Sequence, residues 1–499
     1  MGPRRKVSGS DARRRVRRLL PLLIGAQLFA APAVAAEPSS STRFLADLVR
    51  IDTSNPPGDT RAVAQLLKQR FDAAGIPNEI ILSPNGKAAH FIARLKGDGS
   101  RRPMLLAAHT DVVPADPSQW SVAPFGGVIR DGFLLGRGVL DNKGAVAAFA
   151  AALIRIREQR IALSRDIIFL AEADEEQGSF NTNWLAEHHW DKIDAEFSLN
   201  EGGSIITAEG RPPLVNITYA DKLTVNLKLR AEGPAGHSSR PLPTGTSAND
   251  QLVAALQRLS DYREPIDLTP ASRDYLRRLA AARPETFRAP VARLFDAREE
   301  RDRAAAAEAI VAAGDDLSGW GLEGLLRNTL ALTMLQSGLK PNIIPGAAEA
   351  TLNARLIPGT SLDGFLDRLR RVIGNDRLSL SVLEGEERAR LIRQRANITP
   401  SPIDTDYVAA IETAARRQWP GAAVLPSLFV ASTDATPWRV RGVPVYGISP
   451  FPITAADARR VHGNDERVSL RAIDEGFAFV FDLVVGLAAK GGFPRKATP

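Results

Sequence analysis

Five short stretches of the chain gather histidines and carboxylates in patterns that could do chemistry. In "LLAAHTDVVP", His109 and Asp111 follow an apolar run, at the strand end where open α/β sheets place their ligand crevice. A metal-ligating His usually has its other ring nitrogen held by a second group, and Asp111 could serve. A strand-end His with a turn Asp can equally be structural. "GRGVLDNKGAVAA" sets Asp141 just ahead of a small-residue helix, either as its N-cap or as a carboxylate bridging two cations. "LAEADEEQGSF" crowds Glu172, Asp174, Glu175 and Glu176 behind the apolar "DIIFL". Such carboxylates repel one another, so the cluster needs open water or strong positive charge. "SLNEGG" places Glu201 beside two glycines after another strand, and "DARRVHGNDERV" puts His462 ahead of the terminal helix.

The chain has no cysteine, which excludes disulfides and leaves His, Asp and Glu as metal ligands. Imidazole with hard oxygen donors suits Zn²⁺, and also Co²⁺ or Mn²⁺. Two cations sharing a carboxylate would remove the repulsion in the acidic cluster. They would also acidify a water and polarise a carbonyl oxygen.

The elements that must hold these residues follow from periodicity. A chain of 499 residues predicts two domains rather than one core. "STRFLADLVRI", "RAVAQLLKQRFDAAG" and "NKGAVAAFAAALIRIREQ" have helical spacing. "NEIILS", "HFIARLKG", "PMLLAAHTD", "RDIIFLAEA" and "DAEFSLNEGG" read as strands. The alternation predicts an α/β domain with a mixed sheet covered by helices. From about residue 221 the pattern changes: "KLTVNLKLRAEG" alternates with period two, as a strand with one wet face does. Residues 265–320 are helical and rich in Arg, Ala, Asp and Glu, with no chemistry visible. The predicted layout is a discontinuous catalytic domain, 37–220 and 391–499, interrupted by a smaller α+β insert over 221–390.

The N-terminus has the three parts of a secretory signal: a basic start, the apolar "LLPLLIGAQLFAAPAVA", and small residues at Ala33-Val34-Ala35. Residues 1–36 therefore read as a signal peptide of an exported protein, periplasmic or secreted. An uncleaved membrane anchor is the alternative. Paired Arg17-Arg18 also allows twin-arginine export. After cleavage no stable membrane insertion is expected. Residues 1–36 hold eight of the 64 Lys+Arg and one of the 57 Asp+Glu, so the remainder carries 56 of each. A neutral mature chain has no nucleic-acid footprint.

The joint motif set, "HTDVVP", "GRGVLDNKG", "ADEEQGS", "NEGG", "GPAGHSSRP", "NIIPGAAEATLNARLIPG", "STDATPW" and "VHGNDE", resembles one family. It is the co-catalytic zinc metallopeptidases and amidohydrolases that include carboxypeptidase G, succinyl-diaminopimelate desuccinylase, aminoacylase and carboxypeptidase S. "FLLGRGVLDNKG" and "HGNDE" lean towards carboxypeptidase S. The resemblance implies two Zn²⁺ per subunit, bridged by Asp141. His109 and Glu201 would complete one site, Glu176 and His462 the other. Asp111 would support His109, Glu175 would be the general base, and Glu172 and Asp174 would play supporting parts. The Asp141-Asn142 peptide would be cis. The insert would be a lid and homodimerisation domain. From it His237 would reach the partner's site to hold the oxyanion, while Asn342 and Arg355 would bind the substrate's carbonyl and carboxylate. One position departs from the pattern: several relatives carry Arg two residues after the Asp of the "TDA" turn, where this chain has Thr436 after Asp434 and Ala435. Either Arg439 substitutes for it or the substrate carboxylate is read differently. The implied reaction is cleavage of an amide beside a free carboxylate, by a carboxypeptidase or dipeptidase. An N-acyl-amino-acid amidohydrolase is the alternative, and a non-catalytic metal-stabilised binding protein the remote one.

Overall fold

Three central strands, Met104–His109, Ile167–Glu172 and Phe197–Asn200, run parallel, with Met104–His109 between the other two. Every residue of the three is buried, as expected of parallel strands covered on both faces. Alternation along them divides two cores. Met104, Leu106, Ala108, Ile167, Phe169 and Ala171 join one, while Leu105, Ala107, Ile168 and Leu170 join the other. The first core takes the apolar faces of helices Ser40–Val49, Arg61–Ala73, Lys143–Glu158 and Leu470–Ala488.

These strands belong to a ten-stranded mixed sheet ordered 78–82, 89–95, 167–172, 104–109, 197–200, 445–447, 211–221, 204–208 and 452–454. The tenth strand, Ala423–Phe429, pairs in parallel with Arg211–Asp221. The computed structural model describes residues 37–314, 321–396 and 398–493, so the segment read as a signal peptide lies outside the described residues. Among them no helix is long and apolar enough to cross a membrane.

The insert begins where Arg211–Asp221 leaves the main sheet and Leu223–Glu232 enters a second one. Lys222, between the two, is buried and donates from Nζ to the Arg327 carbonyl at 2.7 Å, tying the outgoing crossing to the return. The second sheet is antiparallel, ordered 329–337, 347–356, 223–232 and 378–382. Along Ala347–Leu356 half-buried and buried residues alternate strictly. The buried set packs with helices Ala248–Asp261, Leu362–Ile373 and Gly385–Arg395 into a separate core.

The 221–390 stretch is divided by its packing. Helices Pro270–Ala281, Glu285–Asp296 and Glu300–Gly314 do not join the second core. Their apolar stripes, including Tyr275, Leu276, Leu279, Phe287, Val291 and Ile310, enter the main one. The first of them lies against strand Ala423–Phe429. Spacing alone shows an apolar face but not which sheet it meets.

Candidate active site and metal centre

The parallel strands end together, and this brings the site into being. His109 is the last residue of its strand and lies opposite Glu172 on the neighbouring one. Glu175 and Glu176 follow in the next turn, and Glu201 comes directly after Phe197–Asn200. The remaining two groups arrive on loops joined by a small sheet, in which Arg467–Ser469 pairs with Phe133–Leu135. That pairing sets the 136–142 loop beside the 462–466 loop.

All five expected ligands converge. Asp141 turns Oδ1 to His109 Nε2 at 3.0 Å and Oδ2 to His462 Nε2, also at 3.0 Å. Glu201 lies 3.2 Å from His109 Nε2, and Glu176 3.3 Å from His462 Nε2. The result is two triads, His109–Asp141–Glu201 and Asp141–Glu176–His462, joined through one carboxylate. The donors fit a pair of divalent cations: two imidazoles and three carboxylates, with no sulfur among them. The charges argue the same way. Burial opposes protonation of His109, yet Glu201 and Asp141 outweigh it and push its pKa well up. Hydrogen bonds to Asp141 and Glu176 push His462 up to about 10. Both imidazoles thus sit where positive charge is strongly favoured. The Asp141-Asn142 peptide is cis, as the resemblance implies.

Asp111 behaves differently from expectation. Its carbonyl oxygen, not its carboxylate, holds His109 Nδ1, at 2.9 Å; the nearest carboxylate contact is 3.7 Å. The carboxylate instead accepts the backbone N–H groups of Glu175 at 3.1 Å and Glu176 at 3.0 Å. Asp111 therefore anchors both the His and the acidic turn. Asn55 completes this anchor, donating to Asp111 Oδ2 at 2.8 Å and to Asp174 Oδ1 at 2.9 Å. Asp174 takes φ 70°, and its other oxygen accepts from the Phe180 N–H. Gly178 has to be glycine, because a Cβ there would fall 1.8 Å from Asp174 Cγ.

A second scaffold holds the other loop pair. Glu466 is fully buried and pairs with Arg137 at 2.8 Å. It also accepts the N–H groups of Gly138, Leu140 and Asp141. Arg137 reaches the carbonyls of His462 and Gly463. One ion pair thus fixes both Asp141 and His462. Sequence reasoning assigned roles to neither Asn55, Arg137 nor Glu466. The "NPPG" turn after Asn55 and the terminal Glu of "HGNDE" were the available signals.

Of the four acids in the "EADEE" turn, Glu172 is fully buried, and burial together with Asp434 pushes its pKa well up. Glu175 is raised too, first by burial and then by Glu201. It lines the cleft outside the two triads that share Asp141, and groups with His109 and Glu176 in a third possible ligand set.

Arg355 lies on the half-buried face of its strand and enters this cleft. Neutral acceptors hold it: Asn353 Oδ1 at 3.1 Å, Thr224 Oγ1 at 2.6 Å and Ser432 Oγ at 3.3 Å. No carboxylate neutralises it among the described residues. His237 and Asn342 lie elsewhere, both exposed. His237 pairs in register with Ile343, and its neighbour Ser238 donates to the Asn342 carbonyl. Neither residue lines the cleft of its own chain. Arg439 does not replace the missing arginine: it is buried and ion-paired to Asp221.

Residues 105–485 match Peptidase family M20/M25/M40. The chain belongs to this family. M20 membership makes it a metal-dependent hydrolase. It is 28% identical over 400 residues to probable carboxypeptidase S-like 2 of Dictyostelium discoideum, covering 78% of this chain and 72% of that protein. It is also 28% identical over 428 residues to N-fatty-acyl-amino acid synthase/hydrolase PM20D1 of Mus musculus, covering 83% and 79%. The fold matches the M20 family metallo-carboxypeptidase Sso-CP2 from Sulfolobus solfataricus with TM-score 0.64 at 17% identity, covering 89% of this chain and 98% of that one.

Proposed function

We propose that this M20 hydrolase holds two Zn²⁺ ions and cuts an amide bond beside a free carboxylate, as a carboxypeptidase or dipeptidase. The observation that carries this reading is Asp141, whose two oxygens each face a different histidine. Two ions bound there would supply Lewis acidity and a water of lowered pKa. Glu175 takes the proton from the attacking water and hands it to the leaving nitrogen, work suited to a carboxylate whose pKa is raised. Arg355, desolvated and without a counter-ion, receives the substrate carboxylate through paired hydrogen bonds. Hydrolysis of C-terminal dipeptides that a chelator abolishes and zinc restores supports the reading. Turnover that survives metal stripping contradicts it.

A second reading, an N-acyl-amino-acid amidohydrolase, rests on the cleft wall. Leu140, Phe429, Ile448, Pro450, Ile453 and Val461 are among the residues lining a cavity of about 340 Å³ together with the proposed metal ligands. Such a wall suits an acyl chain, and the named activity of PM20D1 fits it. Turnover of long-chain N-acyl amino acids in preference to dipeptides distinguishes the two.

The partner contacts belong to the proposal as well. Strand Thr329–Ser337 is an edge of the second sheet and leaves Leu332, Met334 and Leu335 exposed, with Leu339 97% exposed just beyond it. An unpaired apolar edge of this kind is normally covered. A homodimer through the insert would cover it and bring His237 of one subunit towards its partner. Export through the N-terminal leader is proposed on its sequence pattern alone.

A further inference from the structure

Beyond the cleft already described lies a second chamber of about 500 Å³, and the two share Glu175, Glu176 and Ser432 in their walls. The far wall of this second chamber is basic. Arg388 and Arg395 line it from helix Gly385–Arg395, seven residues and therefore about two turns apart on one face. Both are half-buried, and neither has an ion-pair or hydrogen-bond partner among the described residues. The same helix shows what ordinary pairing looks like: Arg393 is met by Asp363 at 3.0 Å and by Glu386. Burial and the charge of Arg388 together hold the Arg395 pKa below its usual value. Of the acids that line the chamber, Asp221 meets Arg439, Asp434 meets Asn200 and Glu176 meets His462, while Glu175 stands at the boundary with the cleft.

Two half-buried guanidiniums in one wall, neither ion-paired among the described residues, form a receptor for a carboxylate. Arg355, at the boundary of the two chambers through Thr224 and Ser432, already takes one substrate carboxylate in the reading above. We propose that Arg388 and Arg395 bind a second anionic group on the same substrate, so that the enzyme prefers amides of dicarboxylic amino acids. The preference rests on the hydrolase reading, and helix Gly385–Arg395 supplies positive charge in place of the arginine missing at Thr436.

The test compares the zinc-loaded wild type with the double variant Arg388→Gln/Arg395→Gln. Calorimetric titration with glutarate and with butyrate measures the subsite without turnover. Wild type should bind glutarate the more tightly, and the double variant should cut the glutarate-to-butyrate affinity ratio on the order of tenfold, the loss of one charge-assisted contact. In parallel, the kcat/KM ratio for substrates ending in glutamate over those ending in glutamine should fall by a similar factor, carried in KM. Equal affinity for the two acids in wild type, or an unchanged ratio in the variant, overturns the proposal. A glutarate preference with no amide turnover would leave the subsite standing and sink the hydrolase reading instead.

Discussion

The backbone N–H of Glu175 donates to Asp111 Oδ1 at 3.1 Å. A residue two positions past His109 therefore fixes the placement of the proposed base as well as the turn that carries Glu176. An amide at position 111 would present a donor where donors already point, so Asp111→Asn should loosen the turn. Zinc affinity is expected to fall about 10- to 100-fold, the usual cost of losing a group that orients metal ligands. Competition with a chromogenic chelator measures it. Unchanged affinity and unchanged kcat would show that Asp111 acts only through its carbonyl.

Glu175→Ala tests whether proton transfer is separable from metal binding, since Glu175 lies outside the two triads that share Asp141 but also groups with His109 and Glu176 as a possible ligand set. The variant should keep two zinc ions per chain and lose about 10²- to 10⁴-fold in kcat. Elemental analysis alongside steady-state kinetics checks both halves. Loss of metal in parallel with activity would reassign Glu175 as a ligand.

Glu466→Gln leaves Arg137 charged and buried without its partner. Breaking such a pair costs about 3–5 kcal/mol, read by urea unfolding of the zinc-free protein. Metal affinity should fall with it, since Glu466 accepts the Asp141 N–H at 3.2 Å.

Three of the five proposed metal ligands were readable because each sits where an apolar run stops. His109 ends one all-buried strand, Glu176 and Glu201 follow two others, and parallel strands bring such ends together. The supports were hidden for a physical reason. Asn55 meets Asp174 across 119 positions and Arg137 meets Glu466 across 329, and no local period encodes contacts of that length. The same limit hid the docking of the 270–314 helices on the main sheet. Asp111 was found for its spacing, but spacing cannot say whether its carbonyl or its carboxylate does the holding.

Lys222 gives a pH dependence. Burial lowers its pKa from 10.5 to about 7. Below pH 7 the folded and unfolded chains both hold the proton. Between 7 and 10.5 the unfolded chain keeps it and the folded chain releases it, so this group makes stability rise with pH across that window. Lys222→Met should flatten the rise, which denaturant midpoints at successive pH values would show. A slope equal to wild type would mean that Lys222 stays charged in the fold.

The bridging role of Asp141 is tested most directly by anomalous scattering at the zinc edge from crystals of the zinc-loaded protein. Two peaks are expected about 3.5 Å apart, one against His109, Asp141 and Glu201 and the other against Asp141, Glu176 and His462. A single peak, or two that do not share Asp141, would contradict the account.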